Sequence, residues 1–159
     1  METMQPLEKR IHSDCEAALR RRDDRVVLTL RMLIAALQTR QIEKRGKGDA
    51  GPMSDEETLD AIIREVKKRK ESAQAFREGG RMDLAEKEEA ESLILSAYLP
   101  PQATEDEIKE AIQKAVALVA PSSKKDFGKV MGEAMKSLKG RADAGAVGAK
   151  IKEIFSSLA

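Results

Sequence analysis

The chain has 159 residues, enough for one domain or two small ones. Charged residues make up 36% of the sequence and aromatic residues 3%, which is typical of long amphipathic helices with solvated faces. The 41% of hydrophobic residues fall in regular stripes, which argues against a disordered chain. The net charge of +1 indicates no particular partner, although residues 49–103 are acidic and the segments on either side are basic.

Cysteine content and hydropathy bear on the compartment. Cys15 is the one cysteine, so an internal disulfide is excluded and a reducing environment suits the chain. The first eight residues carry neither the basic nor the apolar segment of a signal peptide. No apolar run approaches the roughly 18–20 residues of a membrane-spanning helix. We therefore expect a soluble cytoplasmic protein that makes no membrane contact.

Apolar residues spaced three and four apart predict helices along the whole chain, and no segment alternates as a strand would. A first helix is expected over residues 6–21, with Cys15 as a buried, unreactive thiol. Its apolar stripe consists of Leu7, Ile11, Cys15, Ala18 and Leu19. Either Asp23 or Asp24 can cap the second helix. That helix is apolar over much of its circumference, so it is predicted to be the central helix of the first unit, with Arg31 at the surface or salt-bridged.

A glycine-rich loop, residues 46–52, follows the second helix. It contains lysine but lacks the GxxxxGKS/T spacing and a preceding strand, so no nucleotide site is predicted there. Ser54 and Glu57 form a capping box that begins the third helix. Residues 67–70, Lys-Lys-Arg-Lys, lie within this helix and form either a solvated rim or a binding site.

The fourth helix begins acidic, becomes apolar and ends at Pro100. Its apolar residues at helical spacing are Ala90, Leu93, Ile94, Ala97 and Tyr98. We therefore predict an all-α protein of two helical subdomains. The N-terminal subdomain, residues 1–99, has about four helices, and the C-terminal subdomain, residues 104–159, is a three-helix bundle. Residues 100–103 form a Pro-rich hinge between them.

Cap residues divide the second subdomain into its three helices. Thr104 with Glu107 forms a capping box, Ser123 caps the sixth helix, and Gly140 followed by Asp143 separates the sixth from the seventh. The seventh helix carries its apolar residues at Val147, Ile151, Ile154, Phe155 and Leu158.

Lysines on the sixth helix form the candidate binding surface. At about 100° per residue, four of them fall within roughly 80° of one another, with Gly132 in the middle and Gly128 beside it. Positive charge beside an accessible backbone suits a phosphate backbone. The alternatives are a face that serves only solubility, and glycines that permit close helix packing. The candidate nucleic-acid-binding residues are Lys124, Lys125, Lys129, Gly132, Lys136, Lys139 and Arg141.

No residue pattern predicts catalysis. His12 lacks partner ligands for a metal and a nearby nucleophile, and the acids between Glu86 and Glu91 are scattered around a helix. No catalytic residue, metal ligand or cofactor is therefore predicted. The aromatic residues lie on core stripes, so any nucleic acid would be bound through shape and charge rather than by base stacking.

Short segments spread along the chain resemble the GatB/YqeY family. These segments are Leu30-Arg-Met-Leu33, Asp83-Leu-Ala-Glu-Lys-Glu88 with Glu91, Tyr98-Leu-Pro100 with Gln102, Lys124-Lys-Asp-Phe-Gly-Lys-Val-Met131, and Gly140-Arg-Ala-Asp143. Together, in this order and spacing, they form a specific signal. Pro101 stands where the family pattern more often has lysine, and Phe127 where it often has methionine.

The resemblance implies an all-helical protein of about four helices followed by a three-helix bundle. The module is also similar to the C-terminal tail of the B subunit of glutamine-dependent aminoacyl-tRNA amidotransferase, where it contacts tRNA and other domains carry the chemistry.

Three functional hypotheses follow. The first is a tRNA-binding accessory module that is not catalytic alone. The second is a component of a carbon–nitrogen ligase that uses glutamine as amido-N-donor. In that case a partner protein from an aminoacyl-tRNA-related system would have to supply the active site. The third is a protein–protein adaptor that uses the acidic helix at residues 83–91.

Overall fold

The computed structural model describes residues 5–157, and this part of the chain is all-α, as predicted. It contains seven α-helices, one short 3₁₀ turn and no strand. The helices are α1 (Pro6–Arg21), α2 (Asp24–Gly46), α3 (Asp55–Glu78), α4 (Met82–Ser96), α5 (Glu105–Val119), α6 (Phe127–Leu138) and α7 (Ala144–Ser156), and the 3₁₀ turn is Lys124–Asp126. Leu158, expected on the stripe of the last helix, lies outside the described residues.

Helices α2, α3, α5 and α7 begin at predicted capping residues. The Ser54 hydroxyl accepts a hydrogen bond from the Glu57 amide at 3.1 Å, and the Glu57 carboxylate accepts one from the Ser54 amide at 2.7 Å. Thr104 and Glu107 repeat this arrangement at the start of α5, with distances of 3.2 and 2.8 Å. Asp23, rather than Asp24, caps α2 through the Val26 amide. Each cap satisfies backbone amides that have no partner inside the helix.

Internal contacts divide the chain after Leu99 into two compact units. In the first unit, α1, α3 and α4 pack against one side of α2. Leu30, Leu33 and Leu37 lie on this inner side and are almost completely buried. Ile11 from α1 and Ile62 from α3 complete the centre of this core. Burying apolar side chains of this size stabilises a fold by about 1.5–3 kcal/mol each.

Three expectations about buried faces in the first unit are wrong. Leu19 is exposed, because the buried face of α1 is centred on Ile11 and Ala18 and Leu19 lies about 100° round from Ala18. Cys15 is only half-buried at the edge of that face, so its thiol is not enclosed as expected. Leu93 is 74% exposed, since α4 turns the opposite side to the core.

The second unit is a bundle in which α5, α6 and α7 each contact the other two. Its core contains Ile108, Ile112, Val130, Leu138 and Ile151.

The segment before α5 is hydrogen-bonded to the connection between α6 and α7. The Ala103 amide donates to the Arg141 carbonyl at 2.7 Å, and the Gln102 side chain donates to the Gly140 carbonyl at 3.1 Å. Arg141 in turn donates to the Pro101 carbonyl at 3.0 Å. Residues 101–103 are therefore hydrogen-bonded to the second unit, and the Pro-rich hinge over residues 100–103 stays a prediction.

Candidate nucleic-acid interface

The start of α6 is fixed by a short polar network. The Asp126 carboxylate accepts hydrogen bonds from the amides of Ser122 and Ser123, at 3.0 and 3.3 Å. The Ser123 hydroxyl accepts one from the Lys125 amide at 3.3 Å. Ser123 thus caps the 3₁₀ turn Lys124–Asp126 and not α6 itself, which begins at Phe127.

This start alters the predicted lysine face. Lys125 lies on the 3₁₀ turn and Lys139 follows the helix with an extended ψ of 123°, so the α-helical angle of 100° per residue applies to neither. Lys129, Gly132 and Lys136 remain on α6 and share its exposed side. Lys124 and Lys125 are also exposed at the N-terminal end of this surface.

The inner side of α6 is apolar, as expected. Val130, Ala134 and Leu138 are almost completely buried in the bundle. Because these three residues hold the helix in one rotation, the lysines on the opposite side must face solvent. A substitution at Lys129 or Lys136 therefore changes the surface and leaves the core contacts intact.

Two carboxylates accompany the lysines. Lys129 lies 3.4 Å from Asp126, and Lys136 lies 2.6 Å from Glu133, each pair one helical turn apart. Both lysine side chains are about three-quarters exposed. Exposed pairs of this kind are worth about 0–1 kcal/mol, so a phosphate can compete with them for the ammonium groups.

Hydrogen bonds keep two acids of this unit ionised. The pKa of Asp126 is lowered, first by the Ser122 amide and then by Lys129. The pKa of Glu107 is lowered by the Thr104 amide and by Arg141, whose guanidinium lies 3.0 Å from the carboxylate. Residues 124–141 nevertheless carry six basic and two acidic side chains, so the region stays positive.

Arg141 and Lys139 are less available than the other basic candidates. Arg141 is half-buried and contacts both the Pro101 carbonyl and Glu107, so it holds the connection between α6 and α7 in place. Lys139 is also half-buried and has a partner of its own. Four of the candidate lysines are therefore exposed on this surface, whereas Lys139 and Arg141 are half-buried at its C-terminal end. The exposed lysines are Lys124, Lys125, Lys129 and Lys136.

Glycines open the backbone of this surface. A Cβ atom added at Gly128 or Gly132 would meet no atom within 4 Å, so neither glycine permits close packing of a helix. Gly148 of α7 differs, since an added Cβ there would lie 3.7 Å from the Phe127 ring. A glycine inside a helix costs roughly 0.5–1 kcal/mol relative to alanine. Packing within the described part of the chain therefore does not explain why position 132 is a glycine.

Tyr98 and Phe155 are buried in the cores of the two units, whereas Phe127 is half-buried against the second core. Tyr98 is buried, and its hydroxyl donates to the Asp14 carboxylate at 2.6 Å while the Arg10 guanidinium lies 4.9 Å from its ring centre. Burial, and then the contact with Asp14, raise the pKa of the Tyr98 phenol well above its usual value. Phe127 and Phe155 meet edge to face at 6.1 Å. Tyr98 and Phe155 are core residues, as predicted, whereas the Phe127 ring lies at the edge of the second core with Lys152 6.0 Å from its centre.

Arg69 is a buried charged residue that the sequence pattern did not single out. Its neighbours Lys67, Lys68 and Lys70 are exposed, but Arg69 is only 4% exposed. The expected solvated rim therefore excludes the arginine. A signal was present, because Ile62, Val66, Arg69 and Ala73 follow one another at spacings of four, three and four.

The buried guanidinium joins α3 to α4. Its Nη1 atom donates to Glu65 at 2.7 Å, and its Nε atom donates to Glu91 at 3.3 Å. Glu91 belongs to the acidic segment that carries the family resemblance. Its place in the fold is thus a buried partner for arginine and not an exposed acid.

Neither a metal-binding cluster nor a membrane-spanning helix occurs among residues 5–157. No group of three or more potential ligand side chains is arranged to hold a metal ion. None of the helices in this range is long and apolar enough to cross a membrane.

The fold and the surface together define a small all-helical protein with a basic, glycine-opened helix face on its second unit. Residues 8–155 match the model of the Yqey-like protein family, so the chain belongs to that family. It is 32% identical over 152 residues to the altered inheritance of mitochondria protein 41, mitochondrial, of Pyrenophora tritici-repentis, which covers 93% of this chain and 80% of the relative. It is 30% identical over 100 residues to the protein of that name from Eremothecium gossypii, covering 62% of this chain and 52% of the relative. The cytoplasmic location expected from the sequence stays a prediction.

Proposed function

We propose that this protein is an RNA-binding accessory module that holds the phosphate backbone of tRNA against the exposed side of α6. The observation that carries the proposal is Gly132, which lies inside a helix on an open surface between Lys129 and Lys136. A helix interior disfavours glycine, and no neighbour in the structure requires it. A partner that approaches the backbone between two cations gives the glycine a purpose.

The choice of tRNA rests on the resemblance to the amidotransferase tail, in which the same module contacts tRNA. The surface suits such a ligand, because it offers lysines without exposed aromatic rings. Recognition would then depend on backbone charge and on the shape of a folded RNA.

A link to amidotransferase chemistry is a second part of the proposal. The chain would bring tRNA to a partner protein that supplies the active site, and glutamine would be the amide donor in that complex. We expect no amide transfer from the purified chain alone. Glutamine-dependent product on mischarged tRNA with this chain as the sole protein would contradict that expectation.

The binding test is a fluorescence-anisotropy titration with total tRNA at several salt concentrations. If the four exposed lysines each contact one phosphate, the log–log salt slope should be roughly −3 to −4, by analogy with about −0.9 per contact on duplex DNA. The change Lys129→Glu with Lys136→Glu should abolish binding and leave helicity and melting almost unchanged, because both side chains face solvent.

A matched control is available on α5 of the same unit. Lys109 and Lys114 are exposed, and Lys114 pairs with Glu110 at 2.7 Å much as Lys136 pairs with Glu133. Changing both to Glu alters the net charge equally but leaves the α6 surface intact, so tRNA binding should persist. Equal loss of binding in the two double variants would indicate a non-specific charge effect. Unchanged binding in the α6 variant would reject the surface and favour the adaptor hypothesis.

Gly132 can be tested separately. Gly132→Ala should stabilise the protein by about 0.5–1 kcal/mol, since the added methyl group meets nothing and helix propensity improves. If the RNA backbone approaches this point, the same change should weaken tRNA binding despite the gain in stability. A stabilised variant with undiminished tRNA affinity would remove Gly132 from the proposed interface.

A further inference from the structure

Helix α2 has a second apolar face that stays largely exposed in its own unit. This face lies opposite the core residues of the helix and includes Leu28, Met32 and Ile42, which are 58%, 55% and 68% exposed. Helix α2 thus carries apolar residues on both its buried and its exposed sides, as its sequence predicts. Burial all round does not follow, because only one of its two apolar sides packs in the core, although the Met32 sulfur on the outer side contacts Arg69 of α3 at 3.9 Å.

The spacing of this outer face is regular. Leu28, Met32, Ala35, Thr39 and Ile42 are all exposed and follow one another at intervals of four, three, four and three residues. A repeat of 3.5 residues is the pattern of a helix that pairs lengthwise with another helix. The face extends over about 21 Å at 1.5 Å per residue. We call these five residues the α2 seam.

We propose that the α2 seam binds the α2 seam of a second copy of this chain, with the two helices antiparallel. A two-fold axis between Leu33 and Ile34 brings Met32 level with Ala35 of the second copy. The same axis brings Leu28 level with Thr39 of the second copy. Leu28 and Met32 therefore each face a smaller side chain, which allows the helices to approach closely, and Ile42 lies level with the aliphatic stem of Arg25 of the second copy. The contact is self-complementary, as a symmetric dimer requires.

Charges beside the seam favour this orientation. One flank of α2 carries Asp24, Arg31, Gln38 and Arg45 at intervals of seven residues. In the antiparallel pair, Asp24 of each chain lies beside Arg45 of the other, and Arg31 lies beside Gln38. Two opposite-charge pairs form and no like charges meet along this flank.

The parallel arrangement lacks both advantages. In register, it places Arg25, the position before Leu28 in the repeat, directly against Arg25 of the second copy. It also puts Met32 against Met32 and Ala35 against Ala35, so large side chains meet large ones. The flanking charges form no opposite pair. The antiparallel pairing is therefore the one that the residues of α2 support.

The expected dimer is weak, because the seam spans little more than two heptads. Interfaces at the small end of the protein–protein range are typically transient. A dissociation constant on the order of 10–100 µM is consistent with such an area after the entropic cost of association.

The first test is sedimentation velocity of the full chain over a concentration range that brackets this constant. The mass should rise with concentration from 17.5 kDa towards twice that value. Leu28→Glu should raise the dissociation constant at least tenfold, since it places a carboxylate in the seam opposite Thr39 of the second copy. Leu118→Glu, at a side chain of α5 that is 71% exposed, is the matched control and should leave the dimer unchanged.

A disulfide test fixes the orientation. In a Cys15→Ala background, Met32→Cys and Ala35→Cys chains are prepared separately and then oxidised alone and as a mixture. The antiparallel pairing predicts cross-linked dimer in the mixture and little in either chain alone, because residue 32 lies level with residue 35 of the second copy. Cross-linking of each chain with itself would indicate a parallel pair and overturn the proposal. A chain that stays monomeric at millimolar concentration would overturn it as well.

Discussion

At the scale of single residues, Arg69 illustrates how a charge can be part of a helical core. It is almost completely buried and contacts Glu65, Glu91 and, at 3.9 Å, the sulfur of Met32. Two carboxylates satisfy the guanidinium, so the cost of removing it from water is offset only while they remain. The arrangement joins α3 to α4 through a polar contact inside the first unit.

We expect Arg69→Met to destabilise the protein by about 3 kcal/mol, because it leaves Glu91 buried without its guanidinium partner. Urea unfolding followed by circular dichroism measures this. Lys70→Met, at the exposed neighbour, is the control and should change stability little. Adding Glu91→Met to the Arg69 variant should recover part of the loss, since the buried carboxylate of Glu91 is then removed together with its guanidinium partner. Equal stability of the Arg69 and Lys70 variants would show that the buried pair contributes nothing.

The sequence placed Arg69 within a basic run and thus at the surface. Four consecutive basic residues must spread around a helix, and the one that falls on the buried side is set by Val66 and Ala73 before and after it. The helical spacing therefore predicts that Arg69 is buried, whereas its charge predicts that it is exposed. What the period does not contain is the partner, because Glu91 comes from another helix.

At the scale of helices, the ends were easier to predict than the faces. Ser54 and Thr104 begin their helices through local hydrogen bonds, which depend only on residues three positions apart. Faces depend on neighbours far along the chain. Leu93 and Leu28 have the spacing of core residues and are exposed, since an apolar stripe does not reveal whether another helix covers it.

The candidate site shows the same division. The sequence identified the side of α6 that carries Lys129 and Lys136, because Val130 and Leu138 define the buried side. It did not identify the 3₁₀ turn that moves Lys125 off the helix, which depends on the side chain of Ser123. It also left open whether Gly132 packs against a helix, a question that only the surrounding atoms answer.

The carboxylates of Glu107, at the start of α5, and Asp126, in the 3₁₀ turn before α6, make the second unit sensitive to acid. The pKa values of Glu107 and Asp126 are lowered from 4.5 and 3.8, in both cases chiefly by backbone hydrogen bonds. A lowered pKa stabilises the fold above the ordinary pKa of the group, and this contribution is lost as the pH falls through the folded value. Melting temperature should therefore decline below about pH 4.5.

The combined change Glu107→Gln and Asp126→Asn tests this assignment. It keeps side chains able to accept the cap hydrogen bonds but removes the charges that titrate. The melting temperature of the variant should be lower than that of the wild type at neutral pH and should fall less on acidification. If wild type and variant lose the same number of degrees between neutral pH and about pH 3, other carboxylates govern the acid response.

At the scale of the whole molecule, the boundary after Leu99 raises the question of whether each unit folds alone. The second unit has its own core, with Ile112, Val130 and Ile151 at its centre. It also includes the segment before α5, whose three hydrogen bonds hold the connection between α6 and α7. An independent unit should therefore begin at Pro100, before this segment.

We expect a fragment of residues 100–159 to unfold cooperatively in urea, with a helical circular dichroism spectrum. A fragment of residues 104–159 should also be helical but less stable, because it lacks the bonds from Pro101, Gln102 and Ala103 to Gly140 and Arg141. At about 0.5–1.5 kcal/mol for each hydrogen bond, the difference should be roughly 2–4 kcal/mol, a large part of the stability of so small a unit. Arg141→Met in the longer fragment should remove part of that difference, since the bond to the Pro101 carbonyl is lost. Two fragments of equal stability would show that the segment only connects the units, and two unfolded fragments would show that the bundle depends on residues before Pro100.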